Sequence, residues 1–177
     1  MKPTESRETP PAAGGHRPGA PRRHAGRARG FSLIELLIVV AIIGIVAAIA
    51  IPNLVASRRA ANEAAAISAV RTLSSAEEGY RATFGSGSFG TFPELVARQM
   101  VDPVLAEATA VNKAKSGYIY ALTVTPDRAT YCVGAAPATD FQGTRNFSTD
   151  TPGVIYLHTL DVANPPASTA GGTPLRN

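Results

Sequence analysis

Glu35 is the residue whose placement most demands a chemical account. It stands inside Phe31–Ser57, FSLIELLIVVAIIGIVAAIAIPNLVAS, and no other charge follows until Arg58. The uncharged run Leu36–Ser57 is 22 residues long. As a helix rising about 1.5 Å per residue, it can cross the roughly 30 Å hydrocarbon core of a bilayer. Core helices of soluble domains seldom stay apolar on all faces for that length. A carboxylate in such a run is costly and is retained where something charged pairs with it. No basic residue lies nearby on the same helix, so its partner must come from elsewhere. Gly30 marks the junction with a basic leader. Pro52, near the far end, removes a backbone donor and tends to kink a helix.

Other chemistry-bearing residues do not converge. His16, His24 and His158 are far apart, and no Ser/His/Asp arrangement, Cys/His cluster or paired carboxylates at helical spacing emerges. The expectation is therefore no enzyme, no cofactor and no metal. Cys132 is the sole cysteine, which excludes an intrachain disulfide and suits a small buried hydrophobe in a strand. Gly85–Gly90, GSGSFG, has neither the lysine nor the strand–loop–helix context of a phosphate cradle, so it reads as a loop. Asp140, Asp150 and Asp161 match no calcium loop and read as turn aspartates. Asn146-Phe147-Ser148 fits a glycosylation tripeptide, a pattern common by chance.

The net charge of +4 suggests a nucleic-acid partner until it is divided. Residues 1–30 hold seven Lys/Arg and two acids, whereas the remainder holds ten bases and eleven acids. The basic character belongs to the leader, and a nucleic-acid partner is not expected.

The elements that position these residues follow from the local patterns. Residues 1–30 have too little apolar content to bury a core and read as a disordered leader. Residues 31–57 form the hydrophobic helix, and 58–84 continue it as an amphipathic one. There Ala66, Ala69, Val70, Leu73, Ala76, Tyr80 and Phe84 make one apolar face, with Arg58, Arg59, Arg71, Glu77, Glu78 and Arg81 mostly off it. Residues 85–115 are a loop and short helices. Thr91 with Glu94 forms a capping box that opens one helix to about Met100, and Asp102-Pro103 opens another through Glu107. At 116–160 the period changes to two, predicting four short strands: Tyr118–Thr125, Ala129–Ala135, Gly143–Ser148 and Gly153–His158. Residues 161–177 read as a flexible tail, its NPPASTAGGTP of low complexity. The fold class is α+β, a long N-terminal helix packed against a small antiparallel sheet.

Gly30-Phe31-Ser32-Leu33-Ile34-Glu35 followed by the apolar run resembles the processing site and N-terminal helix of type IV pilins and type II secretion pseudopilins. The resemblance runs from Gly30 to about Asn53, with Ser32 in place of the more usual threonine. It implies that a prepilin peptidase cuts after Gly30 and methylates the new amino group of Phe31. That amino group would be a cation four residues from Glu35. In such filaments the glutamate is held to attract the amino terminus of a neighbouring subunit, setting each helix in register. Gly44 and the alanines would allow close helix approach, and Gly44 and Pro52 are the positions where the helix could kink.

The resemblance implies a structural subunit of a type IV pilus-like filament, a helical homo-oligomer. The precursor would sit in the bacterial inner membrane, N-terminus in and C-terminus out. Lipid would surround the helix before an inner-membrane assembly platform moves the subunit to a periplasmic or surface filament. One alternative is the major pseudopilin of type II secretion. Another is an uncleaved, monomeric membrane anchor displaying a binding domain.

Overall fold

A computed structural model describes residues 30–151 and 153–175. The expected disorder of the leader falls on residues outside that range, apart from Gly30. The chain divides into two units, Met1–Val40 and Ala41–Asn177. In the first, helix α1 opens where the Ser32 carbonyl accepts from the Glu35 and Leu36 amides, at 3.1 and 3.3 Å.

Helix α1 covers Leu33–Thr83 and runs without interruption through Gly44 and Pro52. It closes where the Phe84 and Gly85 amides both donate to the Tyr80 carbonyl, at 2.9 and 2.8 Å. Gly87 then takes φ +93°, a left-handed conformation that suits glycine, and turns the chain away.

In the second unit one stripe of α1 is buried: Glu63, Ala66, Val70, Leu73, Ala76, Glu77 and Tyr80. The three- and four-residue steps predicted most of this stripe, but it also takes in Glu63, Ala69 is only partly buried, and Glu77 and Phe84 change places. Glu77, expected off the apolar face, is fully buried on it. Phe84, expected on it, is 49% exposed, because it lies one residue past the last helical turn. Its ring packs under the Arg98 guanidinium at 4.7 Å instead.

Two short helices follow, α2 (Phe92–Ala97) and α3 (Pro103–Ala106), and a 3₁₀ turn at Val111–Lys113. The capping chemistry places them as the sequence predicts. Glu94 Oε2 accepts from the Thr91 amide and hydroxyl at 2.7 and 2.9 Å. Asp102 Oδ1 accepts from the Val104 amide at 3.0 Å. Helix α2 stops three residues short of Met100, where Gln99 turns left-handed at φ +58°.

The sheet is an antiparallel meander of five strands in chain order: β1 (Tyr118–Val124), β2 (Tyr131–Pro137), β3 (Asn146–Asp150), β4 (Ile155–His158) and β5 (Thr173–Pro174). Its inner residues, among them Tyr118, Tyr120, Tyr131, Val133, Ala135, Phe147 and Ile155, share one core with the buried stripe of α1. Phe89, Leu95, Val101 and Leu105 close that core from the connector.

Residues 161–177, expected to be a flexible tail, are corrected by this arrangement over the described 161–175. Thr173–Pro174 pairs with Leu157 and Tyr156 as the fifth strand, and the Leu175 amide donates to Ile155 at 2.7 Å. The Pro166 carbonyl lies so close to β2 that a Cβ at Gly134 would sit 2.0 Å from it. This covering explains why β2 is buried along its whole length rather than on alternate residues. Low complexity predicted little self-packing; the segment instead uses its backbone to satisfy the sheet edge and cap its outer face.

Candidate functional site: an exposed apolar helix carrying one carboxylate

In the first unit every described residue is exposed, including Phe31 (74%), Leu33 (80%) and Glu35. Among the described residues the Glu35 carboxylate makes no hydrogen bond or ion pair. In the second unit the apolar surface continues through Ile42, Ile45, Ile49, Ile51 and Leu54, none buried. Burying a large aliphatic or aromatic side chain is worth about 1.5–3 kcal/mol, so such a surface calls for a cover of lipid or protein. Helix α1 is long and apolar enough to cross a membrane. A Cβ placed on Gly44 would meet nothing within 4 Å, so that point is open to a close neighbour. The exposed apolar stretch ends at Arg58 and Arg59.

Beyond those arginines two acidic residues of α1, Glu63 and Glu77, accept hydrogen bonds from other parts of the chain. Glu63 is 6% exposed. Its Oε1 accepts from the Thr144 amide and hydroxyl at 2.8 and 2.6 Å, and its Oε2 from Arg145 Nε and Nη2 at 3.2 and 2.5 Å. Burial pushes its pKa up, but the bonds from Thr144 and Arg145 and the Arg145 charge outweigh that and hold it below the ordinary value. Glu77 shows the opposite balance. Its Oε2 accepts from the Gly90 amide at 2.9 Å while Oε1 is buried with no partner. Burial pushes its pKa up to about 7; the Gly90 N–H opposes the rise, and Glu94 and Glu78 add to it. Each carboxylate pins a different loop to the helix: Glu63 the segment before β3, Glu77 the segment after α1.

The remaining sequence candidates have structural roles. Cys132 is buried in β2 as expected, and burial pushes its thiol up to about 11. Asp140 is exposed, Asp150 Oδ2 accepts from Thr169 at 2.7 Å, and Asp161 Oδ2 accepts from Asn164 at 2.6 Å. Asn146 of the glycosylation tripeptide is buried, its amide donating to the Asp161 and Asn164 carbonyls at 2.9 and 3.1 Å. His158 meets Ser148 Oγ at 2.6 Å. Sequence reasoning missed the Glu63 hub. Its signal was present, since Glu63 precedes Ala66 by three residues and so shares the buried stripe.

A long apolar helix preceded by Gly-Phe and carrying one early glutamate, followed by a helix-backed antiparallel meander, defines a membrane-anchored α+β subunit. Residues 26–51 match the prokaryotic N-terminal methylation motif. The chain is 30% identical over 104 residues to the type II secretion system core protein G of Escherichia coli, covering 59% of this chain and 70% of that protein. It therefore belongs to the type IV pilin and type II secretion pseudopilin family. It is 67% identical over 36 residues to the major component of the wide type IV pilus of Thermus thermophilus, covering 20% of this chain and 28% of that protein. It is 48% identical over 54 residues to the major type IV pilin of Myxococcus xanthus, covering 30% of this chain and 24% of that protein. No solved structure matches the chain.

Proposed function

We propose that the protein is a structural subunit of a type IV pilus-like filament. A prepilin peptidase cuts after Gly30 and methylates Phe31, and α1 then polymerises. The precursor sits in the inner membrane with its basic leader inside and its sheet domain outside. An inner-membrane assembly platform passes it from lipid into a periplasmic or surface filament. The observation that carries this reading is Glu35, a carboxylate with no partner among the described residues, on an exposed apolar helix four residues from Phe31. The amino group of an incoming or neighbouring Phe31 is a fitting partner, and pairing would set the axial register. Lipid and a packed fibre core are similarly apolar, so transfer between them costs the helix little.

The test is Glu35→Gln, assayed in membrane fractions and in sheared fibres. Insertion and cleavage are expected to persist, since losing the charge lowers the transfer cost. Fibre yield is expected to collapse. Normal fibres from this variant would remove Glu35 from the mechanism.

A second reading, a pseudopilin of type II secretion, is favoured by one specific observation. The match to core protein G extends over 104 residues, well beyond a 51-residue helix, whereas the two pilin matches cover 36 and 54. Sheared surface fibres containing this polypeptide would favour the pilus. Their absence, with loss of a secreted protein on deletion, would favour the secretion piston.

A further inference from the structure

The segment preceding β3 is strapped along α1 next to the end of the apolar run. Arg59 Nε donates to the Phe141 carbonyl at 3.4 Å, and Asn62 Nδ2 to the Gln142 carbonyl at 2.9 Å. Glu63 then holds Thr144 and Arg145. The strap rises with the helix, so Phe141 is its member nearest the apolar end. Its backbone is pinned while its ring is 70% exposed, and with Val55 and Arg58 it lines one concavity. Among the described residues nothing covers most of this ring.

The position of that ring along α1 is informative. The 22 uncharged residues ending at Ser57 extend about 33 Å as a helix, against a hydrocarbon core of about 30 Å. Arg58 and Arg59 then fall in the headgroup layer, and Arg59 carries Phe141 to the same level. Arginines with apolar stems suit that layer, and an exposed phenyl ring at the same level can bury itself at the headgroup/acyl boundary. Asp140 beside the ring is exposed, so the two arginines leave the patch net positive.

We infer that Phe141, Arg58 and Arg59 form a contact that seats the domain on an anionic phospholipid surface. The phenyl ring enters the glycerol and upper acyl layer, and the Arg58 guanidinium meets phosphate. The surface is continuous with the apolar span, which is why lipid rather than a soluble partner is its occupant. The inference rests on the reading that α1 is inserted in a membrane. It adds a second attachment that holds the domain's tilt and rotation until the subunit leaves the bilayer.

The chain contains no tryptophan, so Phe141→Trp introduces a single fluorophore at an exposed site. The full chain would be reconstituted in vesicles of equal parts phosphatidylglycerol and phosphatidylcholine, with quencher-labelled lipid carrying its label near the headgroup. Phe84→Trp, beyond the far end of α1, is the reference. The Phe141→Trp emission is expected to be quenched severalfold more than the Phe84→Trp emission. Adding Arg58→Glu, or using phosphatidylcholine alone, is expected to lose most of that difference. Protein that floats with vesicles and resists alkaline extraction, yet gives equal quenching at both sites, overturns the inference and leaves the membrane span standing. Quenching unaffected by Arg58→Glu and by lipid charge overturns the anionic contact. Emission that shifts blue with protein-to-lipid ratio but is not quenched assigns Phe141 to a second copy and also overturns it. Protein that fails to associate with vesicles overturns the span itself.

Discussion

Compare the two halves of α1, before and after Arg58. Up to Leu54 the helix presents isoleucine, leucine and valine on all sides and buries none of them, while from Glu63 to Tyr80 it buries one regular stripe. The two halves are one unbroken helix, although the first is rich in β-branched isoleucine and valine and holds Gly44 and Pro52, whereas the second is rich in alanine, the strongest helix former. They differ in what completes them. The second half meets its own sheet, so its stability lies within the chain. The first half carries a surface that the described residues leave uncovered, and such a surface calls for lipid or protein around it. The carboxylates follow the same gradient. Glu63 is fully partnered, Glu77 is half partnered, and Glu35 has no side-chain partner among the described residues.

The largest effect is expected at the border of the first half. Gly30→Ile should leave full-length precursor in the membrane, because a branched side chain fills the position next to the proposed cut. Immunoblotting in cells with active peptidase would show one band, about 30 residues heavier than the processed form. Unchanged mobility would break the proposed processing, and with it the account of how Glu35 finds a partner.

The next contrast pairs two leucines. Leu73 is fully buried in the core and Leu37 is 60% exposed. Leu73→Ala should cost roughly 2–5 kcal/mol in urea unfolding of the full chain in detergent micelles. Leu37→Ala should change the unfolding of the domain by less than about 0.5 kcal/mol. Equal losses would mean that the two halves are not energetically separate.

The smallest effect is at Glu77, and it depends on pH. Its pKa rises from 4.5 to about 7 in the folded protein. Between those values the folded state keeps a proton that the unfolded chain has released, so stability should fall as pH rises through that window. Glu77→Gln imitates the protonated form. It should flatten the decline and stabilise the domain at pH 8 by up to about 3 kcal/mol, with little change at pH 4. Parallel pH profiles for the two proteins would show that the buried carboxylate is compensated by water. Glu63→Gln offers the opposite sign, since its lowered pKa adds stability that is lost as pH falls.

Much of this was legible because it is written in short-range patterns. Thr91/Glu94 and Asp102-Pro103 announce α2 and α3 through caps that need only neighbouring residues. Tyr118–Val124 announces β1 through alternation, and Cys132 was readable as a small buried side chain. Glu77 was not legible in this way. A charge on a helix argues for exposure, although its four-residue step from Leu73 and three-residue step to Tyr80 put it on the inner stripe.

The sequence alone determined the apolar helix with its lone glutamate, the basic charge of residues 1–30, the switch from helical to strand period and the expected contact of stripe with sheet. These follow from periodicity, composition and local hydrogen bonding, which a linear reading contains. Only the tertiary structure decided that Glu63 would gather Thr144 and Arg145 from some eighty positions away. Only it turned a low-complexity tail into a fifth strand beside β4 and laid the Pro166 segment over β2. Both depend on which distant backbone groups remain unsatisfied once the sheet has formed, a quantity that exists only after the chain has folded.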